Sequence, residues 1–176
     1  MVQKTLVLIK PDAVERNLIG EVIKRYEDGG LKVIEMKLMT APTEIVEKHY
    51  PGDDDYVRSL GEKSAKAGED MGDTLEYGKK IVSWLRNFIT SGPIVAMVLE
   101  GEDAISVVRK ITGYTDPASA EKGTIRGDFG EDDILSANKQ GRPVYNLVHA
   151  SGTPEEAEAE IKLWFPKWKK VIWKRH

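Results

Sequence analysis

The chain contains no cysteine among its 176 residues. This absence excludes thiol catalysis, disulfide bonds, and zinc or iron–sulfur sites built on cysteine. No apolar run approaches the roughly 20 residues that a membrane-spanning helix requires. The N-terminal segment also lacks a signal-peptide pattern, because its short apolar run leads directly into Lys10 without a small-residue cleavage site. We therefore expect a protein of the cytoplasm that does not enter a membrane.

Several common phosphate-binding patterns are absent as well. The chain has no GxxxxGK[ST] sequence, which excludes a P-loop ATPase, and it lacks the set of protein-kinase motifs. No glycine-rich turn leads from a predicted strand into a helix, which argues against a small parallel α/β sheet with a nucleotide at such a turn. A phosphate ligand would therefore have to be bound by side chains from several elements.

Charge is distributed unevenly along the chain. The 26 basic and 29 acidic residues give a net charge of −3, which argues against a general nucleic-acid binder. Residues 167–176 carry five lysines and arginines and no acid, so the rest of the chain sums to −8. This basic tail is compatible with nucleic acid or a membrane surface. We favour a packed terminal segment with its lysines in water, and expect no specific nucleic-acid partner.

Hydrophobic patterns predict four strands interleaved with helices. The strands are predicted at residues 5–10, 31–39, 94–99 and 144–150, and the helices at 14–26 (interrupted at Gly20), 43–50, 77–90, 104–111 and from 154 onward. Thr153 and Glu156 mark the start of the last helix as a capping box. The length and order predict one domain, 1–176, with an α+β fold, most simply a ferredoxin-like four-stranded antiparallel sheet covered by helices on one side.

Two segments show no sustained hydrophobic periodicity. Residues 51–78 are rich in glycine and charge and predict a surface excursion, and residues 114–130 predict a loop punctuated by glycine and proline. The first segment contains the acidic cluster Asp53, Asp54 and Asp55. We interpret this cluster as part of a solvated loop in preference to a metal site.

His149 lies at the end of the fourth predicted strand, directly before the last helix, where a rigid backbone can present a nucleophile. The alternative is a buried histidine paired with a backbone carbonyl. Glu160 lies at the edge of the apolar face of the following helix, and a carboxylate there requires a donor or a cation. His149 is the nearest candidate, although Glu160 can also be an exposed helix charge. His49 and His176 are poorer candidates.

Three cations are candidates for binding an anion. Lys10 lies at a predicted strand end, Arg109 on a predicted helix, and Arg126 near two glycines in Gly123–Gly130. Each alone is typical of a surface charge. Arg126 is the most informative, because glycine lets the backbone approach a ligand and a guanidinium group binds phosphate in a bidentate manner.

Five segments, in this order, resemble the nucleoside diphosphate kinase family. They are TLVLIKPDAVERNLIGEVIKRYE near the N-terminus, HY at 49–50, FITSGPIVAMVLEG at 88–101, TIRGDFG at 124–130, and NLVHASGTPEEAEAEIKLWF at 146–165. The KPD, SGP, RGDF and NxxH elements are specific, and the match covers most of the chain.

The resemblance implies transfer of the terminal phosphoryl group of ATP and other nucleoside triphosphates to nucleoside diphosphates. His149 matches the family nucleophile, Glu160 the glutamate that holds its other ring nitrogen, and Ser151 a neighbouring hydroxyl. The residues that match the nucleotide-binding positions are Lys10, Tyr50, Leu85, Arg109, Thr115, Arg126 and Asn146. The resemblance also implies Mg²⁺ held mainly by the phosphates, and a homo-hexamer or a tetramer. The alternative is a catalytically silent ferredoxin-like module that binds nucleotides or nucleic acid.

The sequence departs from the family pattern in three places. This chain has His149-Ala150-Ser151-Gly152 where the family commonly has His-Gly-Ser-Asp. Two insertions are expected, within 51–80 and within 131–143. The first falls near the aromatic residue that stacks on the base, and alignment puts Ile81 there, so that the aromatic contact is missing or comes from Tyr77 or Trp84.

Overall fold

The four strands found in the described part of the chain form one antiparallel sheet. The structure is a computed structural model that describes residues 1–66 and 72–167. Its strands are β1 (Val2–Ile9), β2 (Lys32–Thr40), β3 (Pro93–Glu102) and β4 (Val148–Ala150). Their order is β2-β3-β1-β4, and each adjacent pair is antiparallel. The predicted α+β fold with a ferredoxin-like sheet is confirmed.

Helices connect these strands. The helices of the described residues are α1 (Pro11–Glu15), α2 (Ile19–Asp28), α3 (Thr43–His49), α4 (Asp54–Lys66), α5 (Thr74–Ile89), α6 (Ala104–Thr112), α7 (Ile125–Phe129), α8 (Ile134–Lys139) and α9 (Pro154–Trp164), with a 3-10 turn at Pro117–Ser119. Within these residues no helix is long and apolar enough to cross a membrane. The helix break predicted at Gly20 lies instead at Asn17, whose φ of 58° is left-handed.

The sheet is covered on both faces, so the expectation of helices on one side is wrong. Leu6 and Leu8 of β1 pack into a core with α3, α4, α5 and α9, which we call the α9-side core. Val7 and Ile9 point the other way into the α6-side core, with α1, α2, α6 and α7. A strand at the centre of such a sheet is apolar on both sides, which explains the unbroken run in the sequence.

Residues 54–66 form helix α4, which corrects the predicted surface excursion. Asp53 accepts a hydrogen bond from the Tyr56 amide (3.0 Å), and Asp54 and Asp55 occupy the exposed first turn, where acidic residues favour helix formation. The acidic cluster is therefore a helix start. The predicted loop at 114–130 likewise contains α7, because the Thr124 hydroxyl caps it by accepting from the Gly127 amide (3.0 Å).

The last strand and helix meet at a well-formed cap. Thr153 accepts a hydrogen bond from the Glu156 amide (3.2 Å), and Pro154 occupies the first helical position, as predicted. The Glu156 carboxylate accepts from the amide of Gly152 (2.8 Å). This arrangement fixes the angle at which α9 leaves β4 and crosses the sheet.

Helices α4 and α5 pack closely because glycines lie at their contact. A Cβ atom at Gly78 would collide with the carbonyl oxygen of Val57, and one at Gly61 would collide with that of Thr74. We expect Gly78→Ala to lower the free energy of unfolding by about 1–3 kcal/mol, the usual cost of overpacking. Gly20→Ala is the matched control, since a Cβ there meets nothing within 4 Å. Equal denaturation midpoints for both variants would contradict this packing.

Candidate active site

A histidine and a carboxylate meet between β4 and α9. His149 pairs with Leu8 in the sheet, so its side chain shares the face of Leu8 toward α9. Its Nε2 lies 2.9 Å from Oε1 of Glu160, and the Ser151 hydroxyl donates to the other oxygen of Glu160 at 2.6 Å. The Glu160 side chain is only 14% exposed, so it is not the exposed helix charge that the sequence left open.

Glu160 is ionised at neutral pH. Burial raises the pKa of its carboxyl, but the neighbouring His149 and its hydrogen bond, with smaller contributions from His49 and Ser151, outweigh burial and hold this pKa below its usual value. A carboxylate can only accept hydrogen bonds. This assigns the neutral tautomer of His149 that has its proton on Nε2, and leaves a lone pair on Nδ1.

His49 is the site residue that sequence reasoning missed. Its side chain is 1% exposed, its Nδ1 lies 3.4 Å from Oε1 of Glu160, and its ring stands edge-on to that of His149 at 4.5 Å. Burial, with the nearby His149, lowers the pKa of His49 to about 3, so the ring is neutral. Nδ1 accepts from Trp164 Nε1 (3.2 Å), which places the His49 proton on Nε2, a buried atom without a partner.

Tyr50 and Leu85 pack beside this group. The buried Tyr50 ring stands edge-on to His49 at 4.6 Å, and burial raises the pKa of its hydroxyl, which therefore stays protonated. Leu85 is half-buried and packs against the α9-side core. Leu85 thus contributes to the apolar support of the site.

Hydrogen bonds connect Lys10, Asn146 and Thr115, which come from three different parts of the chain. Lys10 Nζ donates to Oδ1 of Asn146 at 2.7 Å, and Nδ2 of Asn146 donates to the Thr115 carbonyl at 2.8 Å. Lys10 is 6% exposed. Burial, with a smaller effect of Arg126, lowers the pKa of Lys10 to about 8, although Asp12 opposes the shift.

Arg126 is buried against backbone carbonyls. Its guanidinium donates to the carbonyl oxygens of Asn146 (3.0 Å), Gly113 (3.0 Å) and Val148 (2.6 Å). Burial lowers its pKa to about 10, and Arg109 adds to the shift while Tyr26 opposes it. Three of the five N–H groups that an arginine carries are thereby used. The nearby charge of Arg109 indicates that both guanidinium groups belong to one positive region.

Arg109 is exposed and lines an open cavity of about 470 Å³. The other residues lining this cavity are Gln3, Asp103, Ile105, Ser106, Gly152 and Pro154. Gly152 follows Ser151 directly, so the cavity adjoins the segment that carries His149. Of the predicted site residues, Arg109 alone lines this cavity.

Aromatic side chains line α5 and the segment before Asn146. Phe88 stacks on Tyr145 with ring centroids 4.7 Å apart, and Lys10 Nζ lies 5.9 Å from the Phe88 centroid. Trp84 is half-buried and approaches Gly141, while Tyr77 is buried. The sequence did not identify the Phe88 and Tyr145 pair, because these residues lie far apart in the chain.

The fold and the site together define a class of protein: a small α+β protein whose histidine is held by a carboxylate beside buried cations, an arrangement suited to phosphorylated ligands. The protein-family model described as nucleoside diphosphate kinase matches residues 3–57 and 74–169 of this chain. The chain belongs to this family. The predicted family resemblance is confirmed.

Named relatives agree with this assignment. The nucleoside diphosphate kinase of Pyrobaculum aerophilum is 47% identical over 93% of this chain and 95% of its own length, and that of Cutibacterium acnes is 48% identical over the same shares. The crystal structure of the Pyrobaculum aerophilum enzyme superposes with a TM-score of 0.89 at 45% identity, covering 95% of this chain and 97% of that chain. A Borrelia burgdorferi enzyme with bound vanadate and ADP, described as a transition-state mimic, has a TM-score of 0.83 at 36% identity, covering 99% and 93%.

Replacing Glu160 tests the buried carboxylate. Since its folded pKa is lowered, its ionisation stabilises the fold above the usual glutamate pKa, and this contribution is lost as the pH falls through the folded value. We expect Glu160→Gln to lower the free energy of unfolding by about 1–3 kcal/mol at neutral pH. The difference should shrink in acid. Glu158→Gln, an exposed partner of Lys162 on α9, is the control and should change little. A difference that does not vary with pH would contradict this assignment.

Proposed function

We propose that this chain transfers the terminal phosphoryl group from nucleoside triphosphates to nucleoside diphosphates by a ping-pong mechanism through a phosphohistidine at His149. The observation that carries the proposal is the contact of 2.9 Å between His149 Nε2 and Glu160, because it leaves the Nδ1 lone pair available for attack. Membership of the nucleoside diphosphate kinase family supports phosphoryl transfer between nucleotides.

The chemistry consists of two displacements at phosphorus. In the first, the Nδ1 lone pair of His149 forms a bond to the terminal phosphorus. The bond from that phosphorus to the bridging oxygen breaks, and the nucleoside diphosphate leaves with the electron pair. The imidazole becomes cationic, and the Glu160 carboxylate on its Nε2–H stabilises that charge. The second displacement reverses these changes with another diphosphate as acceptor.

The other site residues would bind and orient the nucleotide. Lys10, Arg109 and Arg126 neutralise phosphate charge, which is the main requirement of phosphoryl transfer. Asn146 is assigned to the ribose 3′-hydroxyl, and Ser151 holds the Glu160 carboxylate in place. The roles of Tyr50, Leu85 and Thr115 as nucleotide contacts come from the family pattern. Of the two aromatic candidates for the base contact, Trp84 is better placed than the buried Tyr77.

Magnesium fits this site only through the substrate. Among the described residues the only group of three metal-ligating side chains is His49, His149 and Glu160, and imidazole nitrogens do not suit Mg²⁺, which prefers oxygen ligands. The residues present are therefore consistent with an ion held mainly by the phosphates. Bound there, Mg²⁺ would neutralise and bridge the phosphate oxygens.

The proposal extends to the domain organisation, the insertions, the subunit number and the location of the protein. Residues 1–176 would form one domain, and the family match leaves 58–73 uncovered, which supports an insertion within 51–80. The insertion within 131–143, the homo-hexamer or tetramer, and the cytoplasmic location stay predictions. So does the role of the basic tail, whose residues 168–176 lie outside the described part of the chain.

Labelling tests the phosphohistidine directly. Incubation with γ-labelled ATP should label the protein at an acid-labile, base-stable site, and His149→Ala should abolish both the label and turnover. His176→Ala is the matched control and should label like the unmodified chain. If His149→Ala still labels and turns over, the mechanism is wrong. Tight nucleotide binding without phosphate exchange between ATP and GDP in the unmodified chain would favour the catalytically silent module.

The buried lysine predicts a pH dependence. Because its pKa is lowered to about 8, Lys10 loses its charge as the pH rises through that value. We expect KM for the nucleotide to rise over this range, since a neutral amine binds phosphate weakly. Lys10→Arg keeps the charge and should flatten the dependence. A profile of KM against pH that is the same for both proteins would contradict a role for the Lys10 charge.

A further inference from the structure

Three side chains with metal-binding atoms converge at the site. One ligand atom from each of His49, His149 and Glu160 lies within 4.8 Å of the others. Oε1 of Glu160 is shared, since it lies 2.9 Å from Nε2 of His149 and 3.4 Å from Nδ1 of His49. The proposed reaction uses only the first of these contacts. The second imidazole has no part in it.

Two imidazoles and one carboxylate are the ligand set of divalent transition metal ions. An ion with bonds of about 2.0–2.2 Å in tetrahedral geometry separates its ligand atoms by roughly 3.3–3.5 Å. The distance from His49 to Glu160 already has this value, at 3.4 Å. The distance from His149 to Glu160 has to grow by about half an ångström, because an ion replaces the smaller proton between the two atoms.

The surroundings of this group both favour and oppose an ion. The carboxylate is ionised and already removed from water, so an ion there gains a strong attraction. The positive charge of Lys10 acts on His49 and opposes the ion, and Trp164 Nε1 would lose the acceptor that it now has on His49. The charge balance of two neutral rings and one anion still suits a divalent cation.

We propose that His49, His149 and Glu160 bind a divalent transition metal ion such as Zn²⁺, and that the bound ion arrests His149 by moving its ring proton from Nε2 to Nδ1. The binding itself does not depend on the proposed function. The arrest does, because it matters only if Nδ1 is the nucleophile.

The arrest follows from the tautomers of imidazole. A neutral ring has one proton, which is on Nε2 in the free protein because Glu160 accepts it. An ion bound to Nε2 takes the electron pair of that nitrogen, and the proton moves to Nδ1, so that no proton is released overall. Nδ1 then has no lone pair with which to attack phosphorus.

Metal binding to the free protein is the first test, with Zn²⁺ alone and no nucleotide. Calorimetric titration should show a single ion per chain. We expect His49→Gln to weaken binding at least about tenfold, the loss that even an outer partner of a metal ligand can cause. The chain has three histidines, so His176→Gln is a matched control that should bind like the unmodified protein. Equal affinity of His49→Gln and the unmodified protein would overturn the proposal, as would loss of binding in His176→Gln.

The tautomer is the second test and needs no variant that alters the site. In the protein labelled with ¹⁵N-histidine, Zn²⁺ should change the pattern of His149 from a proton on Nε2 to a proton on Nδ1. A His149 spectrum that Zn²⁺ leaves unchanged would overturn the proposal, even if His49→Gln fails to fold. Both readouts are independent of turnover, so failure of phosphohistidine formation at His149 would leave them intact and would remove only the arrest.

Discussion

The buried carboxylate of Glu160 is the constraint on which the site depends. An ion in that position is stable only when donors surround it, and its two donors are Nε2 of His149 in β4 and the hydroxyl of Ser151, the residue directly after β4. Ser151 Oγ also accepts from the Leu6 amide at 3.2 Å. One carboxylate therefore ties α9 to β4, and through Ser151 to β1. Shifting α9 along the sheet would leave an unpaired buried charge, so the register of the helix is fixed by electrostatics as well as by packing.

The segment that leads into β4 is held by side chains in place of a regular ladder. Leu147 has a left-handed φ of 68°, so β4 begins only at Val148. The Leu147 amide donates to Asp12 Oδ2 (3.0 Å), and Arg126 donates to the carbonyls of Asn146 and Val148. Arg126 therefore has two functions: it positions the segment that carries His149, and it supplies positive charge. The same guanidinium group that fixes this part of the backbone is therefore the one proposed above to bind phosphate.

Local patterns predicted the parts of the fold that depend on neighbouring residues. The first three strands, the Thr153 cap and the pairing of His149 with Glu160 follow from hydrophobic period, capping chemistry and the cost of burying a carboxylate. The fourth strand, predicted at 144–150, is shorter and covers only Val148–Ala150. The helix at Asp54–Lys66 was missed because its apolar residues, Tyr56, Val57 and Leu60, are few among charged and small ones, and because its close contact with α5 uses glycines, which give no hydrophobic signal. His49 was missed because its partners lie about a hundred residues away. Nothing in a short helix indicates that its last residue packs against α9, and single-sequence patterns do not contain such long-range contacts.

Burial has a different consequence for the cations Lys10 and Arg126 than for His49. Burial keeps His49 neutral, at no cost to a group that needs no charge. Burial of Lys10 disfavours its charged form, and lowering its pKa from 10.5 to about 8 corresponds to about 3 kcal/mol. Burial disfavours the charged form of Arg126 in the same way. An anion placed beside these two groups would stabilise their charged forms and offset this cost, so the nucleotide binding proposed above would raise the pKa of Lys10.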